Sequence, residues 1–182
     1  MLAFNQPTFA DTIQKEWIIS NGIGGYASST IIGTNTRRYH GLLVASLNPP
    51  TQRQVMVSKI EESIILQGDH RIDLASNNYK GTIHPTGFQY LNNFERNPLP
   101  RMVFQTENHT IAKTIFMVHG SNTTIVEYEN MGNTACQLNL MPLFADRDYH
   151  SLFHENPDFE SQLKNAIAGR SSAVGYKKSV WV

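Results

Sequence analysis

Short runs of β-branched and aromatic residues, each closed off by Gly, Asn or Pro, recur along this chain at intervals of roughly 8–12 residues, a spacing that constrains it to an all-β fold. Cys136, Leu138 and Leu140 alternate with Gln137, Asn139 and Met141, the period of two that turns one face of a strand inward, and Pro142 is expected to end the run. Residues 111–118 and 123–128 are two further runs joined by His119-Gly120-Ser121-Asn122, the pattern of a hairpin. The same reading gives strands at 16–20, 27–32, 42–46, 54–66, 71–75, 102–106 and 176–182. Helical signals are few: residues 159–167 make about two turns, with Asp158 as N-cap and Gly169 as a stop. The expectation is a mainly β, antiparallel β-sandwich with few or no long helices, formed as one domain over residues 1–182.

Charge narrows the partners. Fifteen Lys and Arg balance fifteen Asp and Glu, so the chain lacks the long-range field that draws proteins to nucleic acid or to an anionic membrane surface. A neutral, hydroxyl-rich partner fits better. Cys136 is the sole cysteine, which excludes an intramolecular disulfide, and its apolar neighbours make it a small buried hydrophobe. The first fifteen residues lack the basic start and apolar run of a secretory signal, and no apolar stretch approaches the roughly eighteen residues needed to span a bilayer. A cytoplasmic location is expected, so Asn108-His109-Thr110 and Asn122-Thr123-Thr124 are sequons without a secretory route.

Gly22-Ile23-Gly24-Gly25-Tyr26-Ala27 satisfies the pattern of a nucleotide-binding glycine turn. That motif must open a helix and needs a carboxylate about twenty residues on to hold a ribose. Here a Ser-, Thr- and Ile-rich run follows, and no Asp or Glu occurs between Trp17 and Ile60. A tight turn at Asn21 and Gly22, with Gly24 and Gly25 supplying positive φ or close backbone approach, is the better account, and no cofactor is implied.

From Glu16-Trp17-Ile18-Ile19-Ser20-Asn21-Gly22-Ile23-Gly24-Gly25-Tyr26 through Asn35-Thr36-Arg37-Arg38-Tyr39-His40-Gly41-Leu42-Leu43-Val44, the chain resembles the opening of bacterial and archaeal glycogen debranching enzymes. Shorter family-like pieces follow in order: Lys59-Ile60-Glu61-Glu62, His84-Pro85-Thr86-Gly87-Phe88, Phe116-Met117-Val118-His119-Gly120 and Arg147-Asp148-Tyr149-His150. Order and spacing persist to about residue 150, and residues 156–182 carry no recognisable motif. The resemblance implies a non-catalytic N-terminal β-sandwich whose partner is a catalytic α/α-barrel of the same polypeptide. It also implies an α-glucan substrate whose α-1,6 branches the whole enzyme hydrolyses during glycogen catabolism, with or without α-1,4-glucanotransferase activity.

The acid-free stretch between Trp17 and Ile60 carries Arg37, Arg38, Arg53 and Lys59, a local positive bias. On a strand Arg37 and Arg38 would face opposite ways, so at most one serves a given site. One reading pairs one Arg with a carboxylate or turn carbonyls and leaves the other solvated. The other sends one Arg across a domain interface to a carboxylate or sugar hydroxyl. Tyr39 is the better sugar contact of the next two residues, and the rival reading makes such residues core or turn elements with a satisfied polar atom. Arg37, Arg38, Tyr39 and His40 are therefore the candidates for substrate or interface contact, and Trp17 is read as core or interface.

No catalytic residue is assigned. Glycoside hydrolysis needs two carboxyl groups roughly 5–10 Å apart across the scissile bond. The candidates are Glu61, Glu62, Asp146, Asp148, Glu155 and Asp158; Glu61 and Glu62 are strand neighbours that face apart, while Asp146 and Asp148, each beside an Arg or Tyr, read as solvated turn acids. His150 and His154 have helical zinc spacing but no Glu between them, so no metal site is assigned. Two alternatives remain open: a stand-alone α-glucan-binding module using exposed aromatics such as Tyr39, Tyr79, Phe88, Tyr90 and Phe94, or a purely structural domain.

Overall fold

The structure, a computed structural model, describes residues 1–66, 68 and 70–152. The helix expected at 159–167 and the strand at 176–182 lie outside the described residues, as do His154, Glu155 and Asp158.

After a two-residue strand β1 (Leu2–Ala3), Thr8 starts the helix α1 (Phe9–Ile13): its side-chain oxygen accepts from the Asp11 N–H at 3.2 Å and its hydroxyl donates to the Asp11 carboxylate at 2.6 Å. The sequence reading overlooked this helix, although Thr8-x-x-Asp11 is a legible start signal. The strands β2 (Glu16–Ser20), β3 (Tyr26–Thr30), β4 (Gly41–Asn48), β5 (Thr51–Ile65) and β6 (Arg71–Asp73) follow, within a few residues of the expected runs. The hairpin β7 (Ser76–Tyr79) and β8 (Thr82–Thr86) and the strand β9 (Leu91–Glu95) were not anticipated, because Asn, Pro and Gly dilute the β-branched signal there. Then come β10 (Arg101–Gln105), β11 (Thr110–Met117), β12 (Thr124–Asn130) and β13 (Gln137–Asp148), with β11 and β12 forming the expected hairpin.

The described residues form two large antiparallel sheets. One has the order β1-β9-β10-β11-β12 and the other β13-β5-β4-β3-β2, with β6 added to β5 and β7–β8 as a separate small ribbon. Trp17, Leu42, Ile60 and Ile64 from the larger sheet interdigitate with Leu91, Phe94, Met102, Phe104, Ile111, Ile115 and Val126 from the smaller one in one buried cluster, the packing of a β-sandwich. Truncating an Ile such as Ile115 in such a core costs about 2–5 kcal/mol.

The core also contains charge. On β11 the alternation puts Lys113 inward between Ile111 and Ile115, where its ammonium lies 2.5 Å from the Glu62 carboxylate of β5, and the Tyr128 hydroxyl donates to the same oxygen at 2.6 Å. Burial first, then Glu62, pushes the Tyr128 phenol well above its ordinary range. The trio ties the two sheets together, and losing one member of the pair would leave a buried charge at a cost of about 3–5 kcal/mol.

Three expectations need correction. Pro142 does not end its strand: β13 runs on to Asp148, with Pro142 opposite Ile60, because among the described residues β13 is the edge of its sheet and tolerates a residue that lacks a donor. Asp146 accordingly sits in β13 at a register shift, where it has φ +43° and accepts from Gln54, rather than in a solvated turn, while Asp148 is the exposed last residue of that strand. Phe94 is a core residue, and Phe88 and Tyr90 pack against that core; of the five aromatics suggested as exposed, Tyr39 and Tyr79 are. Cys136 is half-buried against the same cluster, and burial raises its thiol pKa.

Candidate functional site

The loop between β2 and β3 is built on Asn21, whose side chain is fully buried. Its amide oxygen accepts from the N–H groups of Ile23 (3.1 Å) and Gly25 (2.9 Å), and its amide nitrogen donates to the Ser121 carbonyl (3.0 Å) and to Asn122 Oδ1 (3.1 Å). Gly22 and Gly24 have φ of +80° and +99°, and a Cβ on Gly24 would meet the Pro50 backbone at 2.5 Å. Gly25 has ordinary φ but no room: a Cβ there would lie 2.5 Å from the Asn21 amide. Asn122, at the tip of the β11–β12 hairpin, also donates to the Ser46 carbonyl and accepts from the Ser46 N–H, so the sequon nitrogen is committed to clamping the two sheets.

Arg37 to His40 lie in a turn between β3 and β4, not on a strand, and hence the expected alternation of Arg37 and Arg38 does not apply. Hydrogen bonds hold the approach to this turn: Thr34 to the Ser76 carbonyl, and Asn35 to both Ser29 and Ser58. His40 is 4% exposed. Its Nδ1 accepts from the Thr36 N–H at 3.1 Å, which places the ring proton on Nε2, 3.6 Å from the Glu16 carboxylate. Burial lowers the His40 pKa, against the opposing pull of Glu16. Arg37 donates to Glu16 at 2.7 Å while its side chain stays 64% exposed.

Arg38 and Tyr39 turn toward the end of β13. Arg38 donates to the His150 carbonyl at 3.0 Å, Arg147 donates back to the Arg38 carbonyl, and the Tyr39 hydroxyl lies 3.2 Å from His150 Nδ1. The rings of Tyr39, Tyr149 and His150 have centroids 4.0–5.6 Å apart, and Arg53 stacks over Tyr149 while donating to the Gly24 carbonyl. The Tyr26 hydroxyl donates to the Tyr39 carbonyl at 2.8 Å, and burial, then Tyr149, keeps that phenol protonated by raising its pKa. Two segments more than a hundred residues apart, Arg37–His40 and Arg147–His150, thus form one cluster.

Arg37, Tyr39 and His40 line a concavity of about 270 Å³ together with Glu16, Tyr26 and the exposed Arg96, with the 54% exposed Ile18 on its wall. Arg38 is not among its lining residues. Sequence reasoning missed Glu16, Tyr26 and Arg96, since strand pairing brings the first two beside the turn and the packing of the other sheet brings Arg96. A void of about 20 Å³ between the sheets, bordered by Glu62 and Lys113, has room for about one water. Three of the candidate carboxylates have structural partners: Glu61 accepts from Asn77, Glu62 is the buried partner of Lys113, and Asp148 accepts from the His150 N–H. Among the described residues no group of three or more His, Cys, Asp or Glu is arranged to hold a metal, and no helix is long and apolar enough to cross a membrane.

The family model described as "Glycogen debranching enzyme N terminal" matches residues 15–180, thirty residues past the last motif read from the sequence. No curated protein and no solved structure matches the chain.

Proposed function

The chain belongs to the glycogen debranching enzyme N-terminal family, and from that premise we propose that it serves as a non-catalytic β-sandwich domain docked on a catalytic barrel of the same polypeptide, helping to shape the entrance through which branched α-glucan reaches the site of α-1,6 hydrolysis. The parent activity in this reading is amylo-α-1,6-glucosidase, with or without glucanotransferase, in the cytoplasm.

The concavity of Glu16, Arg37, Tyr39 and Arg96 carries the reading. Its charged groups are exposed, its cations outnumber its anion, and an exposed Ile18 adjoins them. An exposed ion pair such as Arg37–Glu16 contributes only about 0–1 kcal/mol to folding, so stability alone gives little reason for it. Once covered by a second domain, the same guanidinium becomes a desolvated anchor of the kind that costs about 2 kcal/mol or more to remove from an interface. The purely structural reading draws on Tyr39 and Arg38, whose polar atoms already have partners in the cluster around His150.

The test compares Arg37→Ala, Arg38→Ala and Tyr39→Ala for debranching in an enzyme carrying this domain and for melting of the 182-residue chain. Activity that falls well beyond any loss of stability for Arg37→Ala and Tyr39→Ala is the expected result. Activity that falls only in step with stability would remove the interface assignment.

A further inference from the structure

A second concavity, of about 470 Å³, lies beside the β7–β8 hairpin and falls within the roughly 300–1,000 Å³ of small-ligand clefts. Its floor is pre-oriented. Lys59, whose side chain is 11% exposed, donates to Asn77 Oδ1 at 2.6 Å, and Asn77 Nδ2 donates to Glu61 Oε1 at 2.6 Å, which fixes both ends of the amide. Burial lowers the Lys59 pKa, with Glu61 the chief opposing charge. On the rim, Asn78 accepts from the Gly81 N–H through Oδ1, and its amide nitrogen has no partner among the described residues. Tyr79 stands 60% exposed at the hairpin end, held opposite Thr82 by a two-residue turn in which Lys80 and Gly81 both have positive φ.

The ligand's chemistry follows from this lining. Lys59 and Glu61 lie 3.6 Å apart and cancel, so the groove favours neither an anion nor a cation. Glu61 offers a carboxylate oxygen as acceptor, while Asn77 and Asn78 offer amide N–H donors. A ligand that meets both needs neighbouring groups that each donate and accept, which vicinal hydroxyls do. Tyr79 supplies an exposed aromatic face for the C–H face of a pyranose ring, with its hydroxyl available for a further bond.

We propose that this groove is a glucosyl-binding subsite, in which a unit of an α-glucan chain stacks on Tyr79 and hydrogen-bonds to Glu61, Asn77 and Asn78. The choice of α-glucan among neutral saccharides rests on the function proposed above. The site is separate from the Arg37–His40 concavity, with which it shares no lining residue. It would hold an outer chain of the substrate while the branch is processed elsewhere.

Maltoheptaose titrated into the 182-residue chain by calorimetry tests this directly. We expect saturable binding that weakens about tenfold or more in Tyr79→Ala, persists in Tyr79→Trp, and weakens in Glu61→Gln and Asn78→Ala, with the melting temperature of Tyr79→Ala unchanged because that side chain is exposed. Cellohexaose should bind more weakly than maltoheptaose. An absence of binding by the wild-type chain, wild-type affinity in Tyr79→Ala, or loss of binding in Tyr39→Ala instead would each overturn the assignment, and equal binding of cellohexaose would overturn the α-glucan specificity. Binding to the isolated chain is independent of the debranching assay on Arg37→Ala, so either proposal can fail without the other.

Discussion

The loop 21–25 and the turn 37–40 leave opposite ends of the same short strand, β3, and they spend their polar groups differently. In the loop, Asn21 is fully buried and uses both donors and both acceptor positions of its amide on the fold, and two of its three glycines have positive φ. In the turn, His40 is buried and satisfied, but Arg37 stands in solvent with one carboxylate partner and Tyr39 is 40% exposed. A segment whose hydrogen bonds are all internal can act only through the fold it stabilises. A segment that keeps guanidinium and phenol groups at the surface still has capacity for a partner.

That contrast is breakable by mutation. The largest effect should come from Gly24→Val: a β-branched residue at φ +99° is strained, and its Cβ would run into the Pro50 backbone, which cannot rotate away. A loss of about 3 kcal/mol or more is expected in denaturant unfolding, and a melting curve like wild type would show that the loop relaxes freely. Asn21→Ala comes next, at about 2 kcal/mol, since it strands the buried N–H of Gly25 and the carbonyl of Ser121. An unchanged midpoint would mean that water replaces the amide and that the loop is no more committed than the turn.

The third prediction concerns pH. His40 has a folded pKa below its ordinary 6.5, so the unfolded chain takes up a proton that the folded chain refuses. Its contribution to stability is therefore complete above about 6.5 and declines as the pH falls through that value toward the lower folded pKa, where Nδ1 gains a proton and loses the Thr36 N–H. His40→Asn, which keeps an acceptor near that position, should flatten the slope of melting temperature between neutral and mildly acidic pH. A slope identical to wild type would assign the pH dependence to other groups. The smallest effect is expected for Arg37→Ala, within about 1 kcal/mol in the 182-residue chain. A loss comparable to that of Asn21→Ala would erase the difference between the two regions and move Arg37 into the fold's own support.

Most of the strand set was legible because alternation and turn residues are local signals: β2, β4, β5, β10 and the β11–β12 hairpin fall where the runs predict. The misses have physical causes. Ser76-Asn77-Asn78-Tyr79 has little strand propensity and pairs with β8 across a Lys80-Gly81 turn whose first residue does not announce positive φ. Pro142 reads as a stop unless the strand is known to be an edge, and strand order is not a local property. The candidate residues stand together in one motif; Glu16, Tyr26 and Tyr149 lie in other family-like pieces and Arg96 in none, and nothing local assigns them to the site, since each reaches the turn through pairing or packing.

By itself the sequence determined the class of fold, the glycine-dependent loop, the absence of net charge and the family, because period, backbone freedom, composition and motif order are carried along one dimension. The tertiary structure decided which of four consecutive side chains is buried, that the Arg37 and Arg147 segments meet, and that Lys113 and Glu62 face each other inside the sandwich. Those outcomes depend on which strands become neighbours and which face of each turns inward, and the free energy that selects them is shared among contacts distant in the chain, where no local pattern records it.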